Sequence, residues 1–385
     1  MRVAYCTPMG VERDGIGAYS RELYVHLSQL CELEPFPLDN EVHGRRHFRE
    51  MVRAINRCDL LHLEHSSNYF KVPLYPYRDG YPDFLRRVRI PRVAVYHEPV
   101  DHVPIYPPHL ANTRAERWVN TVKYVGKRLL RPVIDRYLIP RYNAAIFSRP
   151  ERVVVHSGFH ADLVRRFAPG AHVTVSPLPV PDMTRIEGPA NAEPIHPFAE
   201  GDRVMTILGF VESRKDYIGV LRALTLLPAR FKLLVAGGCP FAREAESPAS
   251  TYGKMMRFAK ENGLRDRVHV TGFFPDSALP RIVAATNVFL VPFLVNHCSA
   301  SITTGAASSL PVIAYRTMLT GEMNRNGAGI IEVSGWEEIP GIVLAAEKDP
   351  SVYGESVGMG ERYREKHSYH ATAVRFVELY RELLA

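Results

Sequence analysis

Arg214 and Lys215 follow an apolar run, Met205–Leu208, that closes on Gly209 and precedes a helical pattern from about Tyr217 to Leu227. A basic pair in a loop that leaves a strand and enters a helix is well placed to neutralise a diphosphate. The chain uses far more Arg than Lys, so a lysine at this point is informative. A second candidate is the stretch between the apolar runs Val288–Val291 and Pro311–Ala314, where Ser299, Ser301, Thr303, Thr304, Ser308 and Ser309 cluster. A loop rich in hydroxyls that enters a helix suits an anion, because the first helical N–H groups are free and lie at the positive end of the helix dipole. The third is His97, directly after the run Arg92–Tyr96. A histidine at the C-terminal end of a parallel strand points into the crevice where open α/β sheets bind ligands, and it is the candidate catalytic group of the first half. Each also has a bland reading: an exposed basic pair, a helix kept small to sit close on a sheet, a surface histidine among sixteen.

Further along the same lines, Gly15-Ile16-Gly17 follows a first strand, Arg2–Cys6, and opens a helical pattern from Ala18 to Leu30. That geometry lets backbone approach a ligand closely. No third glycine stands at dinucleotide spacing, which argues against a plain Rossmann dehydrogenase. His62, His65 and His102 are weaker candidates. His62 and Glu64 alternate along one strand and share a face, but no complete metal-ligand set is visible. The five cysteines are scattered with no C-x-x-C pair, which fits a reducing cytoplasm better than a disulfide framework.

These residues need strands and helices in alternation to hold them. Leu60–Leu63, Arg92–Tyr96, Arg152–Val155, His172–Ser176, Met205–Leu208, Phe231–Ala236 and Arg267–Thr271 all read as short buried strands. With helical patterns between them they imply doubly wound parallel sheets. Residues 182–201 lack periodicity and are rich in Pro, Ala, Glu and Gly, so they mark a linker between a domain of residues 1–182 and one of residues 200–366. Three helical patterns close the chain, the last from His370 to Leu384 with Ala373, Val377, Tyr380 and Leu384 on one face.

The net charge of +7 lies in the first half: residues 1–182 hold 26 Lys and Arg against 19 Asp and Glu, whereas residues 183–385 are balanced at 22 each. Residues 118–142 mix apolar side chains with Lys123, Lys127, Arg128, Arg131, Arg136 and Arg141, interrupted by Pro132. They read either as a basic amphipathic helix on anionic lipid or as a core-facing helix. No apolar run approaches the roughly 20 residues a spanning helix needs.

In order and spacing the chain resembles the retaining GT-B glycosyltransferases, in particular the large family 4. The resemblance covers nearly the whole chain and is carried by Gly15-Ile16-Gly17, Val153–Ser157, Gly209–Lys215, Val270–Phe273 and the stretch from Pro292 to Ala314. It implies two Rossmann-like domains facing a cleft, with residues 367–385 packing back on the first. The first domain would bind the acceptor and the second the nucleotide-sugar donor. Lys215, with Arg214 beside it, would hold the donor phosphates, and Gly17 would approach phosphate or sugar. His97 would contact the transferred sugar, Phe273 would lie near the base, and Ser301 and Ile302 would offer N–H groups to the diphosphate. Gly15 and Gly209 belong to the same binding loops. The resemblance implies no metal and no cofactor, with UDP or GDP as the donor nucleotide.

Two departures stand out. The family's arginine after the strand's glycine is Phe210, and its pair of glutamates, seven residues between them, falls on Asn296 and Thr304. Ser299-Ala-Ser-Ile302 looks like the Ser-Gly-Ser-Leu variant that some members carry instead. The expectation is a cytoplasmic hexosyltransferase, peripheral at the inner membrane face, that acts on a glycan or polyprenyl-diphosphate-linked acceptor with retention of configuration. A non-catalytic GT-B scaffold or regulatory subunit and a nucleotide-sugar epimerase are the alternatives. Nucleic acid is not an expected partner, because the basic excess lies in a domain that looks like half of a sugar-binding cleft.

Overall fold

The computed structural model describes residues 1–10, 14–73, 80–97, 99, 114–181, 195–239, 249–295 and 300–385. The chain divides into two compact units, one within residues 1–108, 113–179 and 369–385, the other within residues 180–368. Each is built on one six-stranded parallel sheet, doubly wound by helices.

In the first unit the strands are β1 (Arg2–Thr7), β2 (Glu32–Pro37), β3 (Leu60–His65), β4 (Arg92–Tyr96), β5 (Arg152–Val155) and β6 (Val173–Val175), in the order β2-β1-β3-β4-β5-β6. The order reverses between β1 and β3, so the ligand crevice of such a sheet lies beyond the ends of those two strands. β2, ELEPFP, carries two prolines and does not read as a strand in the sequence. They are tolerated because β2 is an edge, where a missing N–H leaves no ladder bond unmade.

Strand parity divides the buried residues. Ala4, Cys6, Leu61, Leu63, Ala94, Tyr96, Val153 and Val155 face one core. Val3, Tyr5, Leu60, Val93, Val95 and Val154 face the other, which is closed by α1 (Gly15–Leu27) and the last helix, Tyr369–Leu384. That helix buries Ala373, Phe376, Val377 and Tyr380, while Leu384 at its end is exposed. The long helix Arg114–Val133 is not broken at Pro132. A π-helical turn, Ile134–Leu138, absorbs the lost hydrogen bond, and helix resumes at Ile139–Phe147.

The second unit has β7 (Arg203–Leu208), β8 (Phe231–Ala236), β9 (Val268–Val270), β10 (Val288–Val291), β11 (Val312–Tyr315) and β12 (Ile331–Val333), in the order β12-β11-β10-β7-β8-β9. Its reversal point lies between β7 and β10. The small-residue helix, Ala300–Ala307, sits so close to this sheet that a Cβ on Gly305 would come 2.8 Å from Val312 Cγ2.

Candidate active site

Lys215 lies beyond the end of β7, at the reversal point of the second sheet, and only 5% of it is exposed. Its Nζ donates to the carbonyls of Leu208 and Phe210, both at 2.9 Å, which accounts for two of the three ammonium hydrogens. Phe293, beyond the end of β10, presents its ring 5.4 Å from the same nitrogen. Burial lowers the Lys215 pKa to about 8; Glu212 opposes this and Arg214 adds to it. Arg214 is tied to Glu212 at 2.8 Å and stays partly exposed.

The loop is held by backbone on both sides. Asp216 N–H donates to the Pro292 carbonyl at 2.8 Å, and Leu294 N–H donates to the Arg214 carbonyl at 2.9 Å. The Asp216 carboxylate caps the helix Tyr217–Thr225 by accepting from Gly219 N–H, and it accepts from the Tyr315 hydroxyl at 2.9 Å. Gly209 has φ 94°, and a Cβ there would meet Lys215 Nζ at 3.3 Å. A Cβ on Gly237 would lie 2.3 Å from the Gly209 carbonyl oxygen, so both glycines are needed for the backbone to pass under the lysine.

Phe273 packs on Gly238 and meets Phe210 edge to face, with ring centroids 6.0 Å apart. Phe210 thus supplies a carbonyl to Lys215 and a ring to Phe273. Phe273 also lines a cavity of about 290 Å³ with Thr271, Phe274, Pro275, His269 and Arg281. Ser301 and Ile302 lie in the first turn of the helix Ala300–Ala307. Thr304 is 5% exposed on the following turn. Asn296 and Ser299 lie outside the described residues.

At the reversal point of the first sheet, Gly15 and Gly17 open α1. Asp14 caps that helix, accepting from Ile16 N–H at 3.0 Å with one oxygen and from the Tyr69 hydroxyl with the other. Gly15 has open space where a Cβ would be. Among the described residues, the buried hydroxyls of Thr7 and Tyr19 have no hydrogen-bond partner.

His97 is almost buried. Its Nε2 lies 2.6 Å from Glu64 Oε2 and its Nδ1 lies 3.1 Å from His156 Nε2. The other Glu64 oxygen accepts from His62 Nε2 at 2.8 Å, and His62 Nδ1 lies 2.6 Å from the Tyr380 hydroxyl. His156 Nδ1 donates to the Ser176 carbonyl at 2.9 Å. Burial pushes the Glu64 carboxyl up, but His97 and then His62 outweigh that and hold it at about 2. Burial, with the charge of His97 behind it, lowers His156 to about 3. The sequence places His97 at the strand end and His62 beside Glu64; it does not single out His156 and Tyr380. His156 was legible by parity, being two residues beyond Val154 on the same face.

Among the described residues, no helix is long and apolar enough to cross a membrane.

Residues 190–366 match the family described as Glycosyl transferases group 1. No curated protein matches the chain. Among solved structures, Anabaena HepE in complex with UDP and glucose is similar over 99% of this chain and 100% of its own, with 12% identity and a TM-score of 0.69. Sucrose-phosphate synthase from Thermosynechococcus elongatus covers 100% and 99%, with 15% identity and a TM-score of 0.68. A glycosyltransferase from Rickettsia africae covers 100% and 98%, with 12% identity and a TM-score of 0.69. The whole chain therefore has the two-unit GT-B fold, and its residues 190–366 match a glycosyl transferases group 1 domain.

Proposed function

We propose that this protein is a retaining hexosyltransferase that takes its sugar from a nucleoside diphosphate, UDP or GDP. The observation that carries the reading is Lys215: a buried lysine at the reversal point of a Rossmann-type sheet, anchored by two carbonyls, with one N–H left for an anion. The second unit holds the donor. Lys215 and Arg214 neutralise the diphosphate together with the first-turn N–H groups of the helix Ala300–Ala307, and Phe273 borders the base beside the cavity it lines. The bond from the anomeric carbon to the phosphate oxygen breaks while the acceptor hydroxyl bonds to that carbon on the same face. The acceptor proton passes to the departing phosphate oxygen. The reading needs no metal and no resident cofactor.

The first unit receives the acceptor and the sugar at the strand ends where His97, Thr7 and Tyr19 stand, and the unpartnered hydroxyls of Thr7 and Tyr19 suit sugar hydroxyls. The acceptor is a glycan or a polyprenyl-diphosphate-linked chain. Trp118, 70% exposed, and Leu129, 75% exposed, lie in one helix; Leu130, Val133, Tyr137 and Leu138 follow, all in water, with Arg128, Arg131 and Arg136 between them. Apolar side chains left in water among cations suit the surface of an anionic bilayer. Co-sedimentation with phosphatidylglycerol vesicles is expected, weakened by salt and by Leu129→Glu; equal retention of that variant contradicts the lipid reading.

The test of the donor reading is thermal unfolding with UDP, GDP, ADP, CDP and TDP, each at about 100 times a plausible dissociation constant, where binding adds roughly 2.7 kcal/mol. A selective rise of several degrees, absent in Lys215→Ala, is the expected result. No rise with any nucleotide gives the lead to a non-catalytic scaffold, which the residues at 296 and 304 favour. Sugar interconversion without acceptor indicates an epimerase.

A further inference from the structure

His62, Glu64, His97 and His156 share one face of the first sheet, and nothing in the handling of the diphosphate uses them. We propose that Glu64 is a positioning residue that holds His97 as a permanent imidazolium, and that Tyr380 of the last helix completes the device through His62. The proposal deepens the transferase reading and rests on its placing of sugar and acceptor at the strand ends beside His97.

The hydrogen-bond pattern fixes the protons. The carbonyl of Ser176 can only accept, so His156 carries its proton on Nδ1 and offers a lone pair at Nε2. His97 therefore donates from Nδ1 to His156. On its other side it meets a buried carboxylate, which also only accepts, so His97 donates from Nε2 as well. With a proton on each nitrogen the ring is a cation, and its counter-charge is Glu64, which is 0% exposed. His62 donates to the second Glu64 oxygen, and its Nδ1 accepts from the Tyr380 hydroxyl. Every ring nitrogen and both carboxylate oxygens are satisfied with one positive and one negative charge, the arrangement a buried ion pair requires.

Groups from the described elements around His97 agree. Glu64 faces His97 from β3, His156 from beyond β5, and the Tyr19 ring stands edge-on from α1 at 4.9 Å. His65, on the opposite face of β3, is buried and held neutral by burial and by the charge of His97.

His97 then has no lone pair. It cannot take the acceptor proton, and both its N–H groups are spent inside the protein. It acts by charge: the negative end of the pair is sealed in the sheet, and the positive end carries the small exposed part of the ring. A negative charge or a hydroxyl dipole arriving at these strand ends meets a cation whose position is set in advance.

Glu64→Gln tests this, because the amide can keep every bond. Its oxygen accepts from His62 and its NH₂ donates to His97 Nε2, which then has a lone pair. In histidine-¹⁵N-labelled protein at about pH 7.5, where a free imidazole is neutral, two-bond N–H correlations are expected to show protons on both His97 nitrogens in the wild type and one bare nitrogen in Glu64→Gln. The His97→Gln spectrum identifies the signals. A bare His97 nitrogen in the wild type overturns the proposal, and that measurement needs no variant to fold. In sugar transfer, Glu64→Gln is expected to lower kcat on the order of tenfold or more with nucleotide Kd unchanged. Unchanged kcat with a neutral His97 also overturns it. If the wild type binds no nucleotide and transfers no sugar, the transferase reading fails with it, while the spectrum still decides the charge of His97.

Discussion

Tyr380 and His62 are 318 positions apart in the chain and 2.6 Å apart in space. The last helix is thus part of the first unit's polar interior as well as its apolar core. Tyr380→Phe keeps the ring and leaves His62 Nδ1 buried without a donor, at about 1–3 kcal/mol. The midpoint of urea unfolding should fall accordingly, and an unchanged midpoint would show that the hydroxyl contributes nothing.

Acid should destabilise the first unit early. Burial lowers both His65 and His156 from 6.5 to about 3. Below pH 6.5 the unfolded chain takes up two protons that the folded unit refuses, so stability falls as pH falls, by up to about 2.7 kcal/mol per pH unit for the pair. Glu64, held at about 2 against an ordinary 4.5, adds to the loss as pH falls through that window. Urea titrations at neutral pH and about two units lower measure the slope, and His65→Leu should halve it above pH 4.5.

Nucleotide affinity should fall in alkali. The Lys215 amine of the free protein loses its proton above about pH 8, and a bound diphosphate favours the charged form. Affinity for UDP or GDP should therefore decline up to tenfold per pH unit, from about pH 8 to the higher pKa of the complex. Calorimetric titration across that range checks it; Lys215→Ala should bind weakly with a flat profile.

Gly237→Ala should damage the donor loop without touching a ligand. Its Cβ would lie 2.3 Å from the Gly209 carbonyl oxygen, one residue beyond the Leu208 carbonyl that anchors Lys215. The backbone must shift, so both the midpoint of thermal unfolding and nucleotide affinity should drop. Retention of both would mean that the loop yields freely.

Much of this was legible in the residues, and what was not has physical reasons. Alternation of apolar runs and helical patterns gave five strands of each sheet, without β2 and β12, and the ends of Arg92–Tyr96 and Met205–Leu208 located His97 and Lys215. β2 was hidden by its prolines, which only an edge position permits. Residues 118–142 read as a helix interrupted at Pro132; that helix continues past the proline was hidden, because a π turn depends on the fold around it. Tyr380 looked like one more apolar residue of an amphipathic helix, since nothing local reveals that its hydroxyl meets His62, 318 positions away.

The chain leaves the first unit at Pro179 and returns to it only at Tyr369. During synthesis residues 180–368 of the second unit are a continuous stretch that can close as soon as it emerges from the ribosome. The first unit, although begun earlier, waits for residues 369–385 before Val3, Tyr5 and Leu60 are fully covered. A stalled or truncated product would carry a finished second unit beside an open apolar sheet face, a natural target for chaperones and proteases. Closure of the first unit thereby requires synthesis to have passed Tyr369 and the helix that it opens.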